Sequence, residues 1–194
     1  MPQANPRPRL HILICSTRPG RVGETVARWF HPLAVAHGGF DVELVDLAAF
    51  GLPVFDEPQH PRLRKYEHQH TKRWSASVES ADAFVFVTPE YNYGPPPSLL
   101  NALNYLVLEW AYKPVAFVSY GGVSGGMRAV QAERQLATAF RMMPVNEAVN
   151  IPMVSQRLRD GKLEADEAIV NAVKPMLDEL LKWATALMTM RAKA

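Results

Sequence analysis

A chain of 194 residues, 48% hydrophobic and 21% charged, has the composition of an average globular domain and the length for one sizeable core. Its formal net charge of +2 gives no electrostatic case for nucleic acid or an anionic membrane, and no apolar run approaches the ~20 residues of a membrane-spanning helix. The lone Cys15 excludes an internal disulfide framework, and the polar, proline-rich MPQANPRPRL has no apolar core of a secretory signal, so a cytoplasmic location is expected.

Residues 1–8 read as a loose tail. Leu10 to Cys15 is a short apolar run, expected as a first buried strand, and it opens into a loop from Ser16 to Gly23. Val22, Val26, Trp29, Phe30 and Leu33 then recur at helical spacing, with Pro32 expected to kink or shorten that helix and Gly38-Gly39 to end it. Phe40 to Val45 alternates as a second strand. From Asp46 to Arg64 the chain is loop-like, with prolines at 53, 58 and 61. Tyr66 to Ser80 reads as a helix with Trp74 and Val78 on one face. Ala83 to Val87 is a third strand, rich in β-branched and aromatic residues. A stiff loop from Thr88 to Pro97 follows, and then an apolar stripe running from Leu99 to Trp110. Pro114 to Val118 is a fourth strand, and it enters the glycine-rich turn Ser119–Gly126. A helix with Val130, Ala137 and Phe140 inward comes next, then a fifth strand, Val145 to Ile151. A polar loop around Asp160-Gly161 leads to a long helix carrying Ile169, Val173, Leu177, Leu180 and Leu187, whose first turns Pro175 unsettles.

Strands alternating with helices, and no linker or internal repeat, imply a single α/β domain: a parallel sheet covered on both faces. At this size the flavodoxin-like strand order 2-1-3-4-5 is expected, and ligands then sit at the strand carboxyl ends. Three loops converge there. The first offers Ser16, Thr17, Arg18, Arg21 and a helix N-terminus, a setting that favours an anion. It matches neither G-x-x-x-x-G-K-[ST] nor G-x-G-x-x-G, so a phosphate monoester fits better than a triphosphate or dinucleotide. The second supplies Glu90, Tyr91, Asn92 and Tyr93 on a proline-stiffened turn able to face a flat heterocycle. The third holds Gly121, Gly122, Gly125 and Gly126, which permit close backbone approach. Together they suggest a phosphorylated flat ligand.

Other chemistries are poorer. No G-x-S-x-G surrounds any serine. His68 and His70, two apart on the expected helix, point to different faces, so with His60 they make a poor metal set and no metal is expected. Cys15 and the four tryptophans read as core.

The chain resembles the NADPH-dependent FMN reductases of the flavodoxin-like superfamily, relatives of quinone, azo-dye and chromate reductases. The resemblance rests on Ser16-x-Arg18, on Pro89-Glu90-Tyr91-Asn92 with Pro96 and Leu99-x-Asn101-Ala102, and on Lys113-Pro114-Val115-Ala116 leading to Ser119 and Gly125-Gly126. It implies FMN as cofactor, with Ser16, Arg18, Arg21, Val22 and Gly23 at the phosphate. Pro89, Glu90, Tyr91 and Asn92 would face the ribityl chain and ring, and Ser119, Tyr120, Gly121 and Gly122 the pyrimidine edge. The chain departs from the family at Val22-Gly23, Gly94, Leu100 and Asn104-Tyr105. The first departure removes side-chain phosphate ligands and leaves more to Arg18, Arg21 and backbone amides.

The resemblance further implies an enzyme. NADPH or NADH would give a hydride to the flavin, which passes electrons to a small-molecule acceptor: a quinone, free flavin, azo compound or metal oxyanion. No side-chain acid or base is required. It also implies a homodimer or homotetramer, with the apolar faces of the 66–80 and 97–110 helices as candidate contacts, the plainer reading being that those faces pack on the sheet. The competing expectations are a non-enzymatic flavin electron carrier or redox sensor, and a domain binding a different phosphorylated ligand.

Overall fold

In a computed structural model, which describes residues 7–191, five parallel strands stand in the order β2-β1-β3-β4-β5. They are β1 (Arg9–Ile14), β2 (Asp41–Asp46), β3 (Ala83–Pro89), β4 (Pro114–Tyr120) and β5 (Met143–Ile151). The expected fold class and strand order are therefore found. Every residue of β3 and β4 is buried, which is why their sequences are almost unbroken apolar runs.

The period-two alternation of the strands divides the core into two layers. Ile12, Ile14, Val85, Val87, Ala116 and Val118 face α1 (Gly23–His37) and α5 (Glu167–Arg191). Leu13, Cys15, Phe84, Phe86, Val115 and Phe117 face α2 (Gln69–Ser80), α3 (Pro97–Asn104) and α4 (Met127–Ala139). Burying each such side chain contributes about 1.5–3 kcal/mol. The apolar faces of α2 and α3, expected as candidate subunit contacts, are consumed in this second layer through Trp74, Val78, Leu99 and Leu103.

Several boundaries differ from expectation for identifiable reasons. Both Pro32 and Pro175 sit inside continuous helices. Each is on the exposed side, where the carbonyl it frees can bond to water. The third helix stops at Asn104 instead of reaching Trp110. The chain turns at Tyr105–Val107, and Trp110 enters the core from a 3-10 turn. There its ring lies 5.7 Å from Trp74 and 5.1 Å from Phe84, a depth a straight continuation would not reach. The second helix starts at Gln69, so His68 is its extended cap residue and not a helical one. His68 and His70 consequently face the same way, rings stacked 5.2 Å apart, with His70 Nε2 3.1 Å from Asp56. Trp29 and Trp183 are only half-buried. Within the loop around Asp160-Gly161 lies a small hairpin, β6 (Leu158–Arg159) and β7 (Lys162–Leu163), its turn residues at φ 49° and 74°. Among the described residues no helix is long and apolar enough to cross a membrane.

Candidate functional site at the strand ends

β1, β3 and β4 are neighbours, so the loops that leave their carboxyl ends meet. The register pairs Ile14 with Val87, Thr88 with Ser119 and Pro89 with Tyr120, which puts the three sequence motifs side by side.

The first loop is tied from below. Ser16 is fully buried and its Oγ shares a hydrogen bond with the Tyr120 hydroxyl at 3.2 Å. Burial pushes the Tyr120 phenol well above its ordinary range, so it stays neutral. Gly23 begins α1 against this pair: a Cβ there would stand 2.5 Å from Ser16 Oγ and 2.7 Å from Tyr120 Oη. Only glycine lets the first turn of α1 come this close. Val22 is the helix cap residue and provides no side-chain cap, so the first-turn amides have no partner within the helix. An anion placed there meets free N–H groups and the positive end of the helix dipole.

The two arginines of this loop have different situations. Arg21 donates to the Ser16 carbonyl at 2.8 Å and to Asp46 at the end of β2. Its guanidinium thus acts as a strut that holds the loop. Arg18 is exposed, and among the described residues no carboxylate pairs with it. Of the two, Arg18 is the cation left for a ligand.

The second loop is a tight turn. Tyr91 and Gly94 exchange backbone hydrogen bonds of 3.0 and 2.9 Å, with Asn92 and Tyr93 left-handed at φ 49° and 67°. Asparagine tolerates that conformation and tyrosine rarely does, so the turn holds local strain. Arg128, in the first turn of α4, lies over the Tyr93 ring at 4.2 Å. Glu90 ties the loop to the same helix. Its carboxylate accepts from Ser124 Oγ at 2.7 Å, from the Arg128 amide at 3.1 Å and from the Arg128 guanidinium at 2.7 Å. Burial opposes its charge, but these hydrogen bonds outweigh it and hold its carboxyl below the usual carboxylate range. Glu90 therefore caps α4, which leaves the backbone, Tyr91 and Asn92 as the parts of this loop not engaged with that helix.

The third loop closes over Ser119, whose hydroxyl donates to the Gly125 carbonyl at 2.7 Å and accepts from Asn150 at 2.7 Å. Gly126 at φ 87° packs on it so tightly that a Cβ would lie 2.8 Å from the Tyr120 amide nitrogen. Gly122, by contrast, has open space above it. A flat edge can approach this backbone.

All thirteen expected site residues thus gather around one end of the sheet. Ser16, Arg21, Glu90 and Ser119 work chiefly inside the protein, and Arg18, Tyr91, Asn92, Gly122 and the α1 amides remain for a ligand. Beside the first loop a groove of about 630 Å³ runs between the turn after β2 and α3, lined by Thr17, Leu47, Leu52, Pro97, Ser98 and Asn101. Sequence reasoning passed over Asp46, Ser124 and Arg128. Arg128 carried a usable sign, because a cation in the first turn of a helix opposes the dipole and needs a carboxylate nearby.

The fold is flavodoxin-like, with the three loops gathered at the ends of β1, β3 and β4. The model of the NADPH-dependent FMN reductase family matches residues 8–156, and the chain belongs to that family. An NAD(P)H-dependent FMN reductase of Schizosaccharomyces pombe is 38% identical over 148 residues, 75% of this chain and 74% of that one. A quinone reductase of Pseudomonas putida is 40% identical over 139 residues, 69% and 70% of the two chains. Among solved structures, the flavoenzyme FerB of Paracoccus denitrificans superposes with a TM-score of 0.71 at 19% identity, covering 92% of this chain and 98% of its own, which supports the fold alone. The protein is an oxidoreductase with FMN as cofactor and a reduced nicotinamide as donor. Membership also selects the enzymatic expectation over a flavin carrier.

Proposed function

We propose that the three loops hold FMN with its phosphate on the first turn of α1 and its ring along the second and third loops. The observation that carries this is the start of α1: an uncapped helix N-terminus, a glycine packed where no Cβ fits, and Arg18 beside it with no internal partner among the described residues. Bound there, FMN supplies the hydride and electron chemistry, and the protein binds and orients it. Tyr91, Asn92 and the left-handed turn shape one wall; at the third loop the Gly122 N–H is the donor left for the pyrimidine edge, since the Gly121 N–H and both carbonyls are bonded to Ile151, Val154, Met153 and Gly125. Arg21 and Glu90 fix the two loops through Asp46 and Arg128.

The acceptor we propose is a small aromatic oxidant of the quinone class, entering from the groove beside Thr17, whose Leu47, Leu52 and Pro97 suit an apolar ring. We place the enzyme in the cytoplasm as a dimer or tetramer. Its seam is then formed by the exposed apolar side chains Val54, Phe55 and Leu108 near the end of α3, because the helix faces themselves are buried.

The test is direct. Purified protein is expected to be yellow, and NADPH or NADH added without oxygen should bleach it; a quinone should restore the colour. Protein that takes up no FMN and oxidises neither nicotinamide would end this reading.

A further inference from the structure

Glu133 lies on the inward face of α4 with 1% of its surface exposed. One carboxyl oxygen is 2.5 Å from Thr88 Oγ1, and the other has no partner among the described residues. Among the described residues no cation pairs with it: Arg134 turns to the Val145 and Asn146 carbonyls, and Arg128 to Glu90. What it faces is a polar row on the α2–α4 side of the sheet. Thr88 pairs with Ser119 and Ser119 with Asn150, while Cys15 joins β3 through the Val87 carbonyl. Directly beneath, the same side is Leu13, Phe86 and Phe117. The row is the floor of the loops that form the site.

A carboxylate buried without a cation is strongly unfavourable. Burial pushes the Glu133 carboxyl up to about 8, so it is neutral at pH 7. The other titratable group facing it, Cys15, is itself raised by burial and by Glu133, and stays a thiol. One arrangement then leaves no donor unmet. Across the contact in which Thr88 Oγ1 donates to an ionised Glu133, the protonated acid donates its O–H to Thr88 Oγ1 instead, and the Thr88 hydroxyl is then free to donate to the Pro89 carbonyl at 3.5 Å. When the proton leaves to solvent, Thr88 must donate to the carboxylate instead, and the Pro89 carbonyl loses its donor.

We propose that Glu133 is a positioning residue for the cofactor loop: a buried neutral acid whose proton, relayed through Thr88, fixes the Pro89–Glu90 backbone. Ionisation loosens that backbone and weakens the site. The inference rests on the assignment of the second loop to the flavin.

The test measures FMN dissociation constants by fluorescence quenching at pH 7 and pH 9, a window in which a phosphate monoester (second pKa about 6) stays largely doubly ionised. Wild-type protein should bind about tenfold more weakly at pH 9, because roughly one-tenth of it then carries the proton. Glu133→Gln is permanently neutral and should give a ratio near one. Equal ratios in the two proteins, or a flat wild type, would overturn the proposal. Should Glu133→Gln not fold, Thr88→Val serves: it keeps the acid and cuts the relay, so its ratio should also be near one, and a retained tenfold loss refutes the relay. Failure of the wild type to bind FMN at pH 7 refutes the flavin assignment itself. The acid is still judged in that case, by an infrared acid-carbonyl band that must fade near pH 8 in the wild type.

Discussion

Gly23→Ala isolates the packing beneath the proposed phosphate site. The added Cβ would stand 2.5 Å from Ser16 Oγ, 2.7 Å from Tyr120 Oη and 3.3 Å from an Ile14 methyl, so the first turn of α1 or the buried pair must give by almost 1 Å. Neither partner can swing into solvent, since Ser16 is 0% and Tyr120 5% exposed and they are bonded to each other. Overpacking of this kind costs about 1–3 kcal/mol, offset by up to ~1 kcal/mol of helix propensity gained over glycine. The net loss, about 1–2 kcal/mol, lowers the melting temperature by roughly 2–8 °C in a chain of this size. Displacing the first-turn amides also removes a charge-assisted hydrogen bond worth about 1.5–3 kcal/mol, so FMN affinity should fall at least tenfold. Gly20→Ala is the control. Gly20, unlike Gly23, is left-handed, at φ 69°, but nothing lies within 4 Å of its Cβ position, so it incurs only backbone strain of about 1–2 kcal/mol. Melting curves and FMN titrations on both variants decide the matter. If Gly23→Ala binds FMN as well as Gly20→Ala does, the cradle is not where we place it.

Three further expectations follow from the same geometry. Arg18→Ala should weaken FMN binding by about 2–3 kcal/mol without changing the melting temperature of the apoprotein, whereas the exposed Arg159→Ala, on the β6–β7 hairpin, should change neither; identical FMN affinities would remove Arg18 from the phosphate. Arg21→Lys keeps the charge but loses the fork that spans Ser16 and Asp46, so the apoprotein should melt lower; unchanged melting with normal FMN binding would show that the strut is dispensable. Glu133 gives a stability test apart from the cofactor. Its folded-state pKa is raised from 4.5 to about 8, so its stabilising effect is complete below about pH 4.5 and declines as pH rises to about 8, at ~1.4 kcal/mol per pH unit. Glu133→Gln lacks that slope. Urea unfolding should therefore show the variant gaining on wild type by on the order of 3 kcal/mol between pH 4.5 and pH 7, and a gap independent of pH would contradict it.

The sheet was legible because β1, β3 and β4 are buried on both faces and announce themselves as apolar runs bounded by glycine and proline. Their loops were legible by position, since parallel strands deliver their following residues to one edge. What could not be read was which polar groups serve a ligand and which serve the fold. Arg18 and Arg21 are three residues apart and chemically alike, and only the arrival of Asp46 from β2 separates them. Glu90 drew attention as a site residue, yet its partner Arg128 lies on α4, 38 positions away. The end of α3 failed for a related reason: helical spacing continues to Trp110, but the core reaches it only if the chain turns at Tyr105. Glu133 was the missed sign of another kind. It shares the inward stripe with Val130 and Ala137, and a carboxyl on a core-facing position asks for an explanation by itself.

The placement of polar groups along the strands explains why the site is built where it is. Up to Val87 and Val118 the central strands carry only apolar side chains, and water has no access. One residue later, on the α2–α4 side, come Thr88 and Ser119, with Asn150 beside them. On the opposite side, Tyr120 reaches Ser16. These groups bond mostly among themselves and to the loop backbones, so the loops inherit the rigidity of the sheet without offering their own side chains to do so. That leaves backbone amides and a few outward residues to meet the ligand. A flavin brings its own reactivity, and what it requires of a protein is a fixed phosphate anchor and a fixed ring wall. In the site we propose, buried struts such as Arg21 and Glu90 and outward groups such as Arg18 divide that work, which suits a site rich in fixed geometry and poor in acid–base residues.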